Sequence, residues 1–153
     1  MSVLIETVTE PTAEVVAAFA RLLPQLSGSA GPLDAAGLGR VLAAEAVTVL
    51  AARLDGVIAG TLTLVVVPLP TGVRAHVEDV VVDGAARGHG IGAHLVDRAL
   101  ALAAEAGART VDLTSRPSRE AATRLYERAG FVRRDTAVLR HPLTADAPAA
   151  PRG

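Results

Sequence analysis

The chain carries His76-Val-Glu-Asp-Val-Val-Val-Asp83, Gly84-Ala-Ala86 and Arg87-Gly-His-Gly-Ile-Gly92 in one unbroken run, and this run decides the fold. Residues 76–83 read as a strand with two acids in its first half and three valines after them. Gly84 to Gly90 reads as a turn-rich connection. From about Gly90 to Ala106 the spacing predicts a helix, with Ile91, Leu95, Ala99, Leu102, Ala103 and Ala106 on one face and Asp97, Ala101 and Glu105 opposite. Gly107 closes it. Thr110 to Thr114 then reads as a strand parallel to 76–83, because a helical crossover joins the two, giving a right-handed βαβ unit.

Upstream, Val3 to Val8 reads as a first strand, and Pro11 to Leu26 as a helix with Pro11 in its first turn. A Ser- and Gly-rich loop runs over Gln25 to Pro32, and Asp34 caps a second helix to about Glu45. Val47 to Leu54 and Val57 to Val67 are β-branched runs joined by Asp55-Gly56, a dipeptide that suits a two-residue hairpin requiring positive φ twice. Pro68 to Gly72 breaks the pattern. Downstream, Ser118 is placed to cap a helix to about Ala129, with Leu125 and Tyr126 inward, Glu120 paired with Arg124 and Gly130 at its end. Phe131 to Asp135 and Thr136 to Arg140 read as short strands. One domain is therefore expected over residues 1–142, followed by a disordered Ala- and Pro-rich tail over 143–153.

Composition narrows the function classes. In 153 residues, 15 cationic side chains, all Arg, face 16 acids. No basic surface for nucleic acid or anionic lipid is expected. Without cysteine there is no thiolate zinc site, disulfide framework or thiol nucleophile. Thr, Asp, Arg or Pro interrupts every apolar run before the roughly 20 residues a membrane-spanning helix requires. The first residues lack a basic stretch followed by an apolar run, so a cytoplasmic chain is expected. His76, His89, His94 and His141 have no spacing that assembles a metal site, and no metal is expected.

The three glycines at 88, 90 and 92 strip side chains from a loop that opens into a helix. Backbone amides there, reinforced by the positive end of the helix dipole, suit a phosphate or pyrophosphate, with Arg87 at the rim. The competing reading is a flexible connection whose glycines permit close helix packing. Gly88, Gly90 and Ala93 also match the dinucleotide fingerprint, with Asp112 about 20 residues further on. Against that reading, the match begins after more than half the chain and follows an antiparallel hairpin.

Val77-Glu-Asp-Val-Val-Val-Asp83, Arg87-Gly-His-Gly-Ile-Gly92 and Leu125-Tyr-Glu-Arg-Ala-Gly-Phe131, in this order and spacing, resemble the GNAT superfamily of N-acetyltransferases. The resemblance implies an α/β fold: a mixed, mainly antiparallel sheet with a central parallel βαβ splay and flanking helices. It implies acetyl-CoA as cosubstrate, lodged where the sheet splays between 76–83 and 110–114. It assigns the pyrophosphate to Arg87, Gly88, Gly90 and Gly92, with backbone from His89, Ile91 and Ala93. It assigns the pantetheine arm to the main chain of Val80, Val81 and Val82, freed by a β-bulge near Asp79 to Val81.

Tyr126 is similar to the family's general acid, which protonates the departing CoA sulfur; its periodicity alone favours a core aromatic, and the surrounding motif reverses that preference. Glu78 matches the carboxylate that accepts the amine's proton, directly or through water. Asp79 competes with it, because neighbours on a strand face opposite sides unless a bulge intervenes. Where the family often has Asn, seven residues before its tyrosine, this chain has Arg119; the alternatives are that Arg119 or Ser118 replaces that contact to the cofactor, or that Arg119 reaches a CoA phosphate. Otherwise Arg116, Arg119, Arg124 and Arg128 read most simply as a solvated rim.

The implied activity is direct acetyl transfer to a primary amine of a small molecule or peptide, without a covalent enzyme intermediate. The acceptor carries no legible recognition motif, and pairing into a homodimer is common among such relatives. A second reading is a CoA-sensing or partner-binding module that kept the pyrophosphate loop and lost turnover.

Overall fold

The computed structural model describes residues 2–28 and 31–144. Its sheet has the order β1-β2-β3-β4-β5, formed by Val3–Thr7, Val47–Leu54, Val57–Leu69, Gly72–Val82 and Val111–Asp112. All neighbours are antiparallel except β4 and β5, which are parallel. Asp55 and Gly56 join β2 to β3 with φ of +51° and +87°, the two positive values that a tight hairpin with matched twist requires.

The break expected over Pro68 to Gly72 is shorter than the sequence suggests. β3 runs to Leu69 and β4 starts at Gly72, with Leu69 opposite Gly72. Proline is tolerated at 68 because β2 pairs with β3 only as far as Val65, so residue 68 has a free edge on that side.

Helix α1 (Ala13–Leu26) is capped by Thr12, whose hydroxyl accepts from the Val15 amide at 3.3 Å; the cap lies one residue beyond Pro11. Helix α2 (Ala35–Ala43) has the Asp34 cap expected of it, accepting from the Gly37 amide at 2.7 Å. Both helices cover one face of the sheet, where Val15, Ala18, Phe19, Leu22 and Leu38 bury against Val49, Ala51, Ile58 and Val81. The opposite face is covered by α3 (Ile91–Glu105) through Ile91, Leu95, Val96, Ala99 and Ala103, packed on Leu50, Leu62, Leu64, Ala75 and Val77. Helix α4 (Glu120–Arg128) adds only half-buried side chains to this second core, Leu125 and Tyr126 among them.

Two expectations fail around α4. Residues 131–135 and 136–140 form no strands. A strand persists only with a ladder partner, and β5 offers two residues. Phe131 is held instead by its amide on the Tyr126 carbonyl, at 3.0 Å, and by an edge-on ring contact. The parallel β4–β5 pair consequently lies at the rim of the sheet rather than at its centre. The other difference is the α4 cap: Arg119, not Ser118, occupies that position, and no side chain closes it. The tail expected to be disordered falls, from residue 145 onward, outside the described residues.

Candidate active site

β4 is regular until Glu78 and then irregular. Thr63 lies opposite Glu78 and Thr61 opposite Val81, so Asp79 and Val80 together face the single residue Leu62. This is a β-bulge at the expected place, and Asp79 absorbs it with φ +49°. Aspartate is among the few side chains that tolerate that conformation.

The bulge also removes strand alternation as a way to choose between the two acids. Val77 and Val80 both pack into the α3 core although they are three positions apart. Strict alternation would put them on opposite faces. The two residues between them, Glu78 and Asp79, are both exposed, and among the described residues neither has an ion-pair partner. The choice between them is therefore not made by the face of the strand.

On its other edge β4 meets β5 only at Ala75 and His76. From Val77 to Val82 the main-chain groups directed away from β3 have no strand partner among the described residues. The sheet opens here, beside the start of α3.

The connection from β4 to α3 is pinned at its base and bare at its tip. Asp83 accepts from the Ala85 amide at 3.1 Å and from Arg21 at 3.3 Å, while Gln25 accepts from the Gly84 amide at 2.9 Å. The Ala85 amide, with help from Gln25 and Arg21, holds the Asp83 carboxyl below the usual carboxylate range. At the tip, Gly88 has φ +88° and Gly90 caps α3 in the left-handed region at φ +72°, ψ +18°. No side chain caps the helix, and its first intrahelical bond runs from the His94 amide to the Gly90 carbonyl. The amides of Ile91, Gly92 and Ala93 thus have no partner within the helix.

Three further features of this loop bear on the sequence reading. The His89 ring bonds through Nδ1 to the Ala86 carbonyl at 3.0 Å, and His94 likewise to the Gly90 carbonyl at 2.7 Å. A carbonyl only accepts, so in both rings Nδ1 carries the proton. Gly92 has a packing reason to lack a side chain, since a Cβ there would lie 2.9 Å from Leu125 Cδ1 of α4.

Tyr126 is half-buried on α4, its ring edge-on to Phe131 at a centroid distance of 5.9 Å. Burial pushes its phenol above the usual tyrosine range, opposed by the charge of Arg119. The Arg119 guanidinium donates to the Leu26 carbonyl at 3.1 Å, at the end of α1. The remaining histidines lie apart, His76 in β4 and His141 on the Pro142 carbonyl. Among the described residues no group of histidine and acidic side chains is arranged to hold a metal. Surface concavities of about 270 Å³ on the outer side of α4 and about 240 Å³ beside Arg53 include neither Glu78, Tyr126 nor the glycine loop.

The sequence reading missed the contacts that frame the opening: Arg21 and Gln25 on Asp83 and Gly84, and Arg119 on Leu26. Their separations of 58 to 93 residues leave no local signature.

Residues 16–131 match the family model described as "Acetyltransferase (GNAT) family". A protein of Oryza sativa subsp. japonica named "Probable glucosamine 6-phosphate N-acetyltransferase 2" is 49% identical over 57 residues, which are 37% of this chain and 32% of that protein. The chain thus spans about a third of the length of this curated relative. Among solved structures, an aminoglycoside acetyltransferase from an uncultured soil metagenomic sample superposes with a TM-score of 0.82 at 20% identity, over 93% of this chain and 97% of that one. A ribosomal-protein-alanine N-acetyltransferase from Brucella melitensis biovar Abortus 2308 superposes with a TM-score of 0.73 at 25% identity, over 92% of this chain and 100% of that one.

Proposed function

The chain belongs to the GNAT acetyltransferase family, and from that premise we propose that it moves an acetyl group from acetyl-CoA directly to a primary amine of a small molecule or peptide. The observation that carries this reading is the open edge of β4 after the Asp79 bulge, set beside the uncapped start of α3. The first leaves main-chain N–H and C=O groups without a strand partner among the described residues and the second leaves amides without a partner within the helix, and the two occur next to each other. We assign the activity to one domain over residues 1–142.

The residues present fit the cosubstrate. Free amides at 91–93, the positive end of the α3 dipole and Arg87 suit a pyrophosphate. Gly88 and Gly90, at positive φ, leave the loop bare. The open edge at Val80 to Val82 suits the amides of a pantetheine arm, in the manner of an added strand. When bound, acetyl-CoA supplies an activated thioester. The chain's own groups do the rest. Main-chain donors near Val80 hold the thioester oxygen as charge develops on it. Glu78 takes a proton from the acceptor amine, and Tyr126 gives one to the departing sulfur, so that the new C–N bond and the broken C–S bond leave no net charge behind. A phenol kept above its usual range stays protonated at neutral pH and remains a donor.

The names of the similar proteins span a sugar-phosphate amine, an aminoglycoside and a protein N-terminal alanine. Family likeness therefore does not choose the acceptor, and the proposal stops at an amine that reaches Glu78 from the exposed side of β4.

The test is thiol release from acetyl-CoA across a panel of chemically diverse amines, paired with calorimetric titration of acetyl-CoA and of a nicotinamide dinucleotide. Turnover with at least one amine is expected, with no dinucleotide binding. Tight acetyl-CoA binding without release above background would replace this reading with that of a sensor.

A further inference from the structure

Helix α1 ends over the C-terminal end of β4, fixed there by Arg21 and Gln25 on Asp83 and Gly84. Helix α4 follows β5 in the chain, with Arg119 as its cap residue. One side chain joins them: the Arg119 guanidinium donates to the Leu26 carbonyl at 3.1 Å.

Both partners gain from this bond. Leu26 is the last residue of α1, among the carbonyls that a helix leaves without an intrahelical donor, and the last turn of α1 has no basic side chain of its own. A guanidinium arriving from elsewhere supplies a charge-assisted donor and offsets the negative end of the helix dipole. Helix α4, for its part, has no fully buried residue. Its half-buried Leu125 and Tyr126 pack on the α3 core, while its first residues, Glu120 and Ala121, are exposed.

We propose that Arg119 is a positioning residue, a clasp that ties α4 to α1 across the mouth of the β4–β5 opening and thereby holds Tyr126 at a set distance from the β4 bulge. This deepens the proposed function, since its catalytic consequence rests on Tyr126 acting in the opening; the clasp itself does not rest on it. It also gives Arg119 a different task from that of a cofactor ligand.

Tyr126 is the only tyrosine and the chain has no tryptophan, so tyrosine emission reports α4 alone. The full chain is compared with Arg119→Ala and Arg119→Lys by acrylamide quenching of that emission at neutral pH, by calorimetric titration of acetyl-CoA, and by steady-state turnover. In Arg119→Ala the quenching constant is expected to rise about twofold or more, with acetyl-CoA affinity within about threefold of the parent and kcat down about tenfold. Arg119→Lys keeps a donor and is expected to restore the quenching constant and most of kcat. Should Arg119→Ala fail to fold, Arg119→Gln, which removes the charge and shortens the reach, is read by the same criteria. An unchanged quenching constant overturns the clasp, as does a loss of acetyl-CoA affinity of about tenfold or more, which would make Arg119 a phosphate ligand. Raised quenching in a protein that turns over no amine supports the clasp and sinks the proposed function instead.

Discussion

At the scale of single residues, the two proposed proton-transfer roles are separable because the side chains differ in surroundings. Tyr126 is half-buried and Glu78 exposed. Tyr126→Phe removes one oxygen and leaves the ring contact with Phe131 in place. Turnover is expected to fall about 100-fold, within the usual range for losing a positioned acid, with acetyl-CoA affinity little changed. Rapid-quench measurement of the chemical step checks this, and an unaltered rate refutes the acid assignment. The two acids of β4 need a different comparison, because both are exposed. Asp79 also holds a backbone conformation at φ +49°, which Asn tolerates as well as Asp does. Asp79→Asn therefore removes the charge and keeps the bulge. Glu78→Gln is expected to lower kcat by about 10²-fold or more and Asp79→Asn by less than about threefold. The reverse ranking would move the base to Asp79. Resemblance alone nominated Glu78 and Tyr126 for these roles; strand alternation predicted that the two acids would part unless a bulge intervened, and the structure has that bulge at Asp79.

At the scale of elements, what the sequence revealed was what local chemistry enforces. Asp55-Gly56 made its hairpin because two positive φ values exclude most other residue pairs, and Asp34 capped α2 because its carboxylate reaches the Gly37 amide. The parallel placement of β5 followed from a crossover helix. Illegible were features that depend on partners distant in sequence. β4 extends back to Gly72 because β3 is there to pair with it, and 131–140 stays irregular because β5 is too short to template it. The glycine loop lies between these cases. Its spacing announced bare amides, yet Gly92 also serves the approach of Leu125, so the competing packing reading holds at one of its three positions. Gly90 is the position where conformation matters most, as the αL cap of α3. Gly90→Ala is expected to destabilise the protein by about 1–2 kcal/mol and Gly90→Asn by less, since Asn adopts that region more readily. A Cβ there meets the His94 ring only at 3.6 Å, ordinary contact, so backbone strain rather than collision is what the melting temperatures would report. Equal losses for the two variants would show that the cap does not adopt positive φ in solution.

For the whole molecule, the shifted groups set opposite ends of the pH range of stability, and they sit in different places. Asp83, at the base of the glycine loop, and Glu14, bound to Arg53, both have carboxyl groups held below their usual range, chiefly by the Ala85 amide and by the Arg53 side chain. Each prefers the folded state when ionised. Their contribution is complete above the unfolded carboxylate pKa of about 4 and is lost as pH falls through the lowered folded values. Tyr126 behaves inversely. Its phenol is raised by burial, so its contribution is complete below the unfolded pKa of about 10 and disappears as pH climbs through the folded value. Acid should therefore loosen α1 and the glycine loop first, and alkali α4. Urea unfolding across the pH range is expected to show a plateau with separate losses on either side. Asp83→Asn should flatten the acid side without touching the alkaline side, and Tyr126→Phe the alkaline side alone. If Tyr126→Phe leaves the alkaline loss unchanged, the phenol is not desolvated in the folded protein, and the claim that burial keeps it a proton donor falls with it.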